Sequence, residues 1–124
     1  MDPVTGLSLG RIAVGVGSLV APARTATLLG LDAPANPQLS YFARMFGARE
    51  IALGAITLAS KGALRRNLVL AGMAVDGSDA VTGALGLKSK ELPSVAGAML
   101  VAGAVGAVGS SVAGLVRGGA QQNG

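Results

Sequence analysis

The chain has 124 residues, enough for one domain, with a hydrophobic share of 51%, a charged share of 13%, and neither Cys nor His. A soluble domain carries about 25% charged residues, so the composition argues for a membrane, and the missing Cys and His exclude disulfides, thiol chemistry and zinc sites of the usual kind. The net charge of +4 comes from scattered basic residues without interleaved aromatics, which excludes a nucleic-acid surface and suits anchoring at a membrane surface.

In chain order, Asp2-Pro3 starts the first helix: Asp caps it, and Pro at the first position loses no hydrogen bond. The helix is predicted from Pro3 to Ala21, where Pro22 ends it. Residues Ala23 to Leu31 are too short to span and are predicted to lie in the interface. After a loop, Asp32 to Pro37, Asn36-Pro37 repeats the cap-plus-proline signal and predicts a second long helix over Pro37–Ser60, with Tyr41 and Phe42 near its interfacial end. Lys61-Gly62 breaks it. The third is predicted over Arg65–Leu87 and the fourth from Pro93 to Arg117, with residues 118–124 a disordered polar tail. Each of the four is long enough for a bilayer, which needs about 20 residues. The fold expected is therefore all-α: an integral membrane four-helix bundle over residues 1–117, with a short interfacial helix between the first two spans.

Basic residues set orientation weakly. Lys61, Arg65, Arg66 and Arg117 fall on the side of the termini, and Arg24, Lys88 and Lys90 on the other. That bias favours cytoplasmic termini in a plasma (inner) membrane.

The charges inside the spans carry the most information. Arg11, Arg49, Glu50, Asp76 and Asp79 lie near the middle of stretches that are otherwise apolar. Each costs about 2.5–3.5 kcal/mol in a bilayer on insertion scales and survives where it is paired or wet. At 100° per residue, Arg11 shares a face with Leu7, Gly15 and Ser18, Glu50 with Phe46, Gly54 and Thr57, and Asp76 and Asp79 with Gly72 and Gly83. The expected site is one cluster of Arg11, Arg49, Glu50, Asp76 and Asp79 at a common depth, supported by Arg44 and Thr57. Two cations face three anions there, leaving one carboxylate over unless Arg44 reaches in or an acid is protonated. Burial and crowding both favour the neutral acid.

Two further patterns bear on packing. Ile12-Ala13-Val14-Gly15 with Ser18-Leu19 matches Ile51-Ala52-Leu53-Gly54 with Thr57-Leu58, a weak internal repeat in which Arg11 corresponds to Glu50. The fourth helix divides into a bulky stripe (Val101, Val105, Val108, Val112, Leu115) and a small one (Ala98, Ala102, Gly106, Gly109, Ser110, Ala113). The small one is expected to pack closely and the bulky one to face lipid. A small-residue face on the first helix collects Gly6, Gly10, Ala13 and Gly17.

Soluble-type catalysis has little to work with. Ser110 and Ser111 have no histidine base, and the glycines form no phosphate loop. Glu50, Asp76 and Asp79 could bind a hard metal or act as an acid/base set, but without His the signal is weak. No cofactor is expected.

The segment from Asn36-Pro37-Gln38-Leu39 through Phe46-Gly47-Ala48-Arg49-Glu50-Ile51-Ala52-Leu53-Gly54 resembles a group of small actinobacterial four-helix membrane proteins, a domain-of-unknown-function type. Their second helix carries Gly-x-Arg-Asp/Glu-x-x-Leu-Gly, matched here by Gly47, Arg49, Glu50, Leu53 and Gly54. The resemblance implies a membrane bundle and no particular activity. Small multidrug exporters are similar in length but carry their carboxylate in the first helix, where this chain has Arg11.

The function expected first is a binding or accessory component of a cell-envelope membrane complex, or a holder of a lipid-like ligand, with a homo-oligomer open. The alternative is a proton-coupled small-molecule transporter using Glu50 with Asp76 or Asp79. An enzyme acting on lipid ranks last.

Overall fold

The computed structural model describes the backbone of residues 2–123 and the side chains up to Gly118. The chain folds as an all-α bundle: α1 Pro3–Val20, α2 Pro22–Leu28, α3 Leu39–Ala59, α4 Gly62–Lys88 and α5 Ser94–Asn123. No strand occurs among the described residues.

Local chemistry explains most helix ends. Asp2 Oδ1 accepts from the backbone N–H groups of Val4 and Thr5, satisfying two donors that the first turn of α1 leaves over. Pro22 occupies the first turn of α2, as the break after α1 predicts. That short helix closes through Gly30, whose φ of +85° suits a residue without Cβ. A side chain there would also run into Ala96 at the start of α5.

Two starts differ from the sequence reading. Asn36 caps no helix: its side-chain amide donates to the Asp32 carbonyl, so it is spent inside the loop, and α3 starts at Leu39. The third long helix begins at Gly62 rather than Arg65, because Lys61 is extended and Gly62, at φ +61°, turns the chain straight into α4. The fourth runs past Arg117 to Asn123, while the side chains of most of the expected polar tail lie outside the described residues.

The bundle is a pair of pairs. α1 packs chiefly on α3 and α4 chiefly on α5, while α1–α5 and α3–α4 contacts close the ring more lightly. At the α1–α3 crossing, backbone meets backbone: a Cβ on Gly15 would stand 2.6 Å from the Gly47 carbonyl oxygen, and one on Gly54 2.6 Å from that of Ser8. These contacts are reciprocal. Shifting residue numbers by the 39 positions that separate Arg11 from Glu50 turns Ser8 into Gly47, Ile12 into Ile51 and Gly15 into Gly54. Gly15 lies against Gly47 and Ile51, and Gly54 against Ser8 and Ile12. The repeat thus makes the same contact from both sides, with the helices antiparallel and Arg11 and Glu50 at the crossing.

Three helices are long and apolar enough to cross a membrane: α1, α4, and α5 over Ser94–Gly118. By length and composition alone the count is three where four were expected. Every 18-residue stretch of α3 contains Arg44, Arg49 and Glu50, too much charge to qualify on composition. α5 brings a correction. Its small residues Ala98, Ala102, Gly106, Gly109 and Ala113 are exposed, whereas Ala96, Gly97 and Ser111 are buried; of the bulky stripe, Val101, Val108 and Leu115 are half-buried and Val105 and Val112 are exposed. Bulky side chains seated on glycines set that rotation: Leu87 on Gly97, Val101 on Gly83 and Val4 on Gly114.

Candidate functional site

The middle of α1 lies beside Arg11, that of α3 at Arg49 and that of α4 beside Asp76. Antiparallel packing brings these centres to one level, and the close α1–α3 approach lets short side chains reach across. Arg11 stands at the point of closest contact and extends toward α4, where Gly72 leaves room: a Cβ there would be 3.3 Å from the Arg11 Nη2.

The five expected charges form one chain. Arg11 Nη1 donates to Glu50 Oε2 and to Asp76 Oδ1, both at 3.0 Å, and Nη2 donates to Asp76 Oδ2. The planar fork therefore holds Asp76 with two bonds and Glu50 with a third. Arg49 Nη2 donates to Glu50 Oε1 at 3.2 Å and to Asp79 Oδ2 at 2.9 Å. The order is Asp76, Arg11, Glu50, Arg49, Asp79, with signs alternating and one negative charge in surplus. Three helices are tied together by it.

Its two ends differ in environment. The side chains of Arg11, Glu50 and Asp76 are 8%, 7% and 5% exposed, whereas those of Arg49 and Asp79 are 39% and 38% exposed. Arg49 also lies over the Phe46 ring, with its guanidinium carbon 5.0 Å from the centroid, within cation–π range. Its Nε is buried without a partner.

Of the supporting residues, Arg44 is exposed and makes no ion pair among the described residues. Thr57 is buried and lines a cavity of about 10 Å³ beside Arg11, together with Ser8, Val69, Gly72 and Ser111. That is room for about one water. Neither Ser8 nor Ser111 is expected at the cluster from the sequence. Ser8 lies three residues before Arg11 and was detectable by helical spacing; Ser111 owes its place to the rotation of α5. A separate, open cleft of about 440 Å³ lies between α2 and the following loop, lined by Ala23, Arg24, Thr27, Leu28, Ala33 and Pro34.

Among the described residues, no three acidic side chains gather as a metal would require. Glu50, Asp76 and Asp79 are each engaged by arginine instead. No protein-family model, curated protein or solved structure matches this chain.

Proposed function

We propose that this chain is a membrane-embedded accessory protein: a bundle that crosses the bilayer with α1, α3, α4 and α5, lays α2 on the interface, and serves as an assembly component of a larger envelope complex. The observation that carries the reading is the charge chain itself. Its buried groups are spent on one another, and the cavity beside them has room for about a water. Such a centre holds helices in register rather than receiving a substrate. The chain also supports α3 as a fourth span, because ion pairing lowers the cost of Arg49 and Glu50 in hydrocarbon.

The outer surface supports the assembly role. The small residues of α5 are turned outward, and Gly10 and Ala13 on α1 are exposed. Small outward faces let membrane helices of a partner approach closely. A lipid-like ligand, by contrast, would find its space at the α2 cleft and its counter-charge in Arg24, away from the charge chain.

One observation favours transport as the second reading: Asp79, one end of a chain with a carboxylate in surplus, is 38% exposed. A single experiment separates the two. Purified protein is reconstituted in liposomes holding a pH-sensitive dye, and an imposed pH gradient is followed. An accessory protein leaves the gradient intact; a leak that disappears in Asp79→Asn would replace this reading with proton transport. Recovery of the protein in the soluble fraction without detergent would sink both.

A further inference from the structure

We propose that α3 pairs with α3 of a second copy of this chain, along a seam of Phe42, Met45, Arg49, Ala52 and Ile56, so that the Arg49–Asp79 pairs of the two copies meet at mid-membrane. The inference rests on the bilayer reading above and adds a surface and an occupant to it.

Spacing is the first argument. These residues follow one another at three, four, three and four positions, the alternation of a two-helix seam. Exposure is the second: Phe42, Met45 and Ile56 are 60%, 53% and 52% exposed, and Ala52 is exposed as well. This side of α3 therefore has no cover among the described residues. Ala52, one turn from Arg49, allows a neighbouring backbone to come close.

Charge decides the occupant. A half-exposed ion pair halfway along a span is costly against lipid tails and calls for a polar neighbour at the same depth. Arg49 makes both of its hydrogen bonds through Nη2, and Asp79 accepts through Oδ2 only. Among the described residues, each chain thus offers a spare donor at Arg49 Nη1 and a spare acceptor at Asp79 Oδ1 on one ion pair. A two-fold axis along the membrane normal sets the donor of each copy opposite the acceptor of the other, as a self-complementary interface requires. Two copies in the same orientation have these groups at equal depth. A polar residue in the middle of such a seam also fixes its register.

Disulfide trapping tests the pairing cleanly, because the chain has no cysteine of its own. Met45→Cys, Ile56→Cys and, as a control on an exposed face of α5, Val105→Cys are purified at full length, reconstituted in phosphatidylcholine liposomes and oxidised. Circular dichroism first verifies that each is as helical as the parent. The expected result is a covalent dimer of twice 12.0 kDa for Met45→Cys and Ile56→Cys and none for Val105→Cys. Adding Asp79→Asn to Met45→Cys should lower the dimer yield severalfold. Equal trapping at Val105→Cys, or none at the two α3 positions, overturns the pairing. So does an adduct of a different mass that forms only in native membranes, since another protein would then cover the seam. Protein that floats with the liposomes but stays monomeric refutes the pairing and leaves the bilayer reading intact; protein that fails to float refutes both.

Discussion

The two ends of the charge chain are built from the same residue types and reach opposite outcomes. At the inner end, Arg11 is closed in between Glu50 and Asp76, with three hydrogen bonds from its fork. At the outer end, Arg49 divides one nitrogen between Glu50 and Asp79 and stays half-exposed. Position in the bundle accounts for the difference. Glycines bring α1 and α3 into backbone contact, whereas α3 and α4 touch lightly and leave Arg49 and Asp79 at the rim of their cleft. The same ion pair is therefore structural where the bundle encloses it and available to a neighbour where it stands at the rim.

The largest expected effect breaks the inner end. Arg11→Gln leaves Glu50 and Asp76 buried with no guanidinium between them, a loss of about 3–5 kcal/mol. Unfolding by denaturing detergent, followed by circular dichroism, should show the variant largely disordered under conditions where the parent is folded. Arg11→Lys should recover only part of the loss, because one ammonium cannot hold Asp76 with a two-pronged fork. Full recovery by lysine would mean that charge alone matters there.

Next in size is the crossing that makes the inner end tight. Gly47→Ala places a methyl 2.6 Å from the Gly15 carbonyl oxygen, and backbone cannot swing aside as a side chain can. A cost of about 1–3 kcal/mol is expected, as for other overpacked cores. Gly103→Ala, where a Cβ would meet nothing within 4 Å, is the matched control and should be neutral or slightly stabilising. Equal effects at both positions would remove the close approach as the cause of the buried end.

Smaller again is a charge outside the spans. The Thr5 hydroxyl, donating to Asp2 Oδ2 at 2.6 Å, is the main reason that the Asp2 carboxyl is held below its ordinary value of 3.8; the N–H groups of Thr5 and Val4 and the charge of Arg65 act in the same direction. A lowered acid contributes stability that is present above its unfolded value and disappears as pH falls through its folded value. Thermal stability should therefore drop below about pH 4 by a step that Asp2→Ala lacks. At neutral pH the same substitution should cost about 1 kcal/mol, typical of a lost helix cap. A pH profile unchanged by Asp2→Ala would assign the acid loss to other groups.

The smallest effect on folding belongs to the outer end. Asp79→Asn in detergent, where the rim is wet, should change stability by no more than about 1 kcal/mol, the range of exposed ion pairs. A loss as large as that of Arg11→Gln would erase the contrast between the two ends.

Much of this architecture is legible locally. Asp2-Pro3 marks a helix start and Pro22 a helix end through chemistry within a few residues, and the structure keeps both. Asn36 carries the same signal but finds a closer partner in the Asp32 carbonyl, a competition that a pattern of residue types does not reveal. Helical spacing likewise groups Arg11 with Gly15 and Ser18, and Glu50 with Gly54 and Thr57, and all six are buried. On α5 the expected division holds only in part: Val105 and Val112 face outward, but so do most of the small residues, because size alone does not say which residues seat on a neighbour's glycines.

What the sequence determined by itself is what one helix can decide: where apolar stretches start and stop, which residues share a face, and that five charges stand at one depth with a carboxylate in surplus. Tertiary structure decided which acid each arginine takes, and which end of the chain is closed. Those choices depend on distances between helices, and such distances are set by side chains meeting glycines far away in sequence. The surplus carboxylate is countable from the five mid-span charges; the half-exposed setting of Asp79 and the exposed seam of α3 emerge only when the helices are packed.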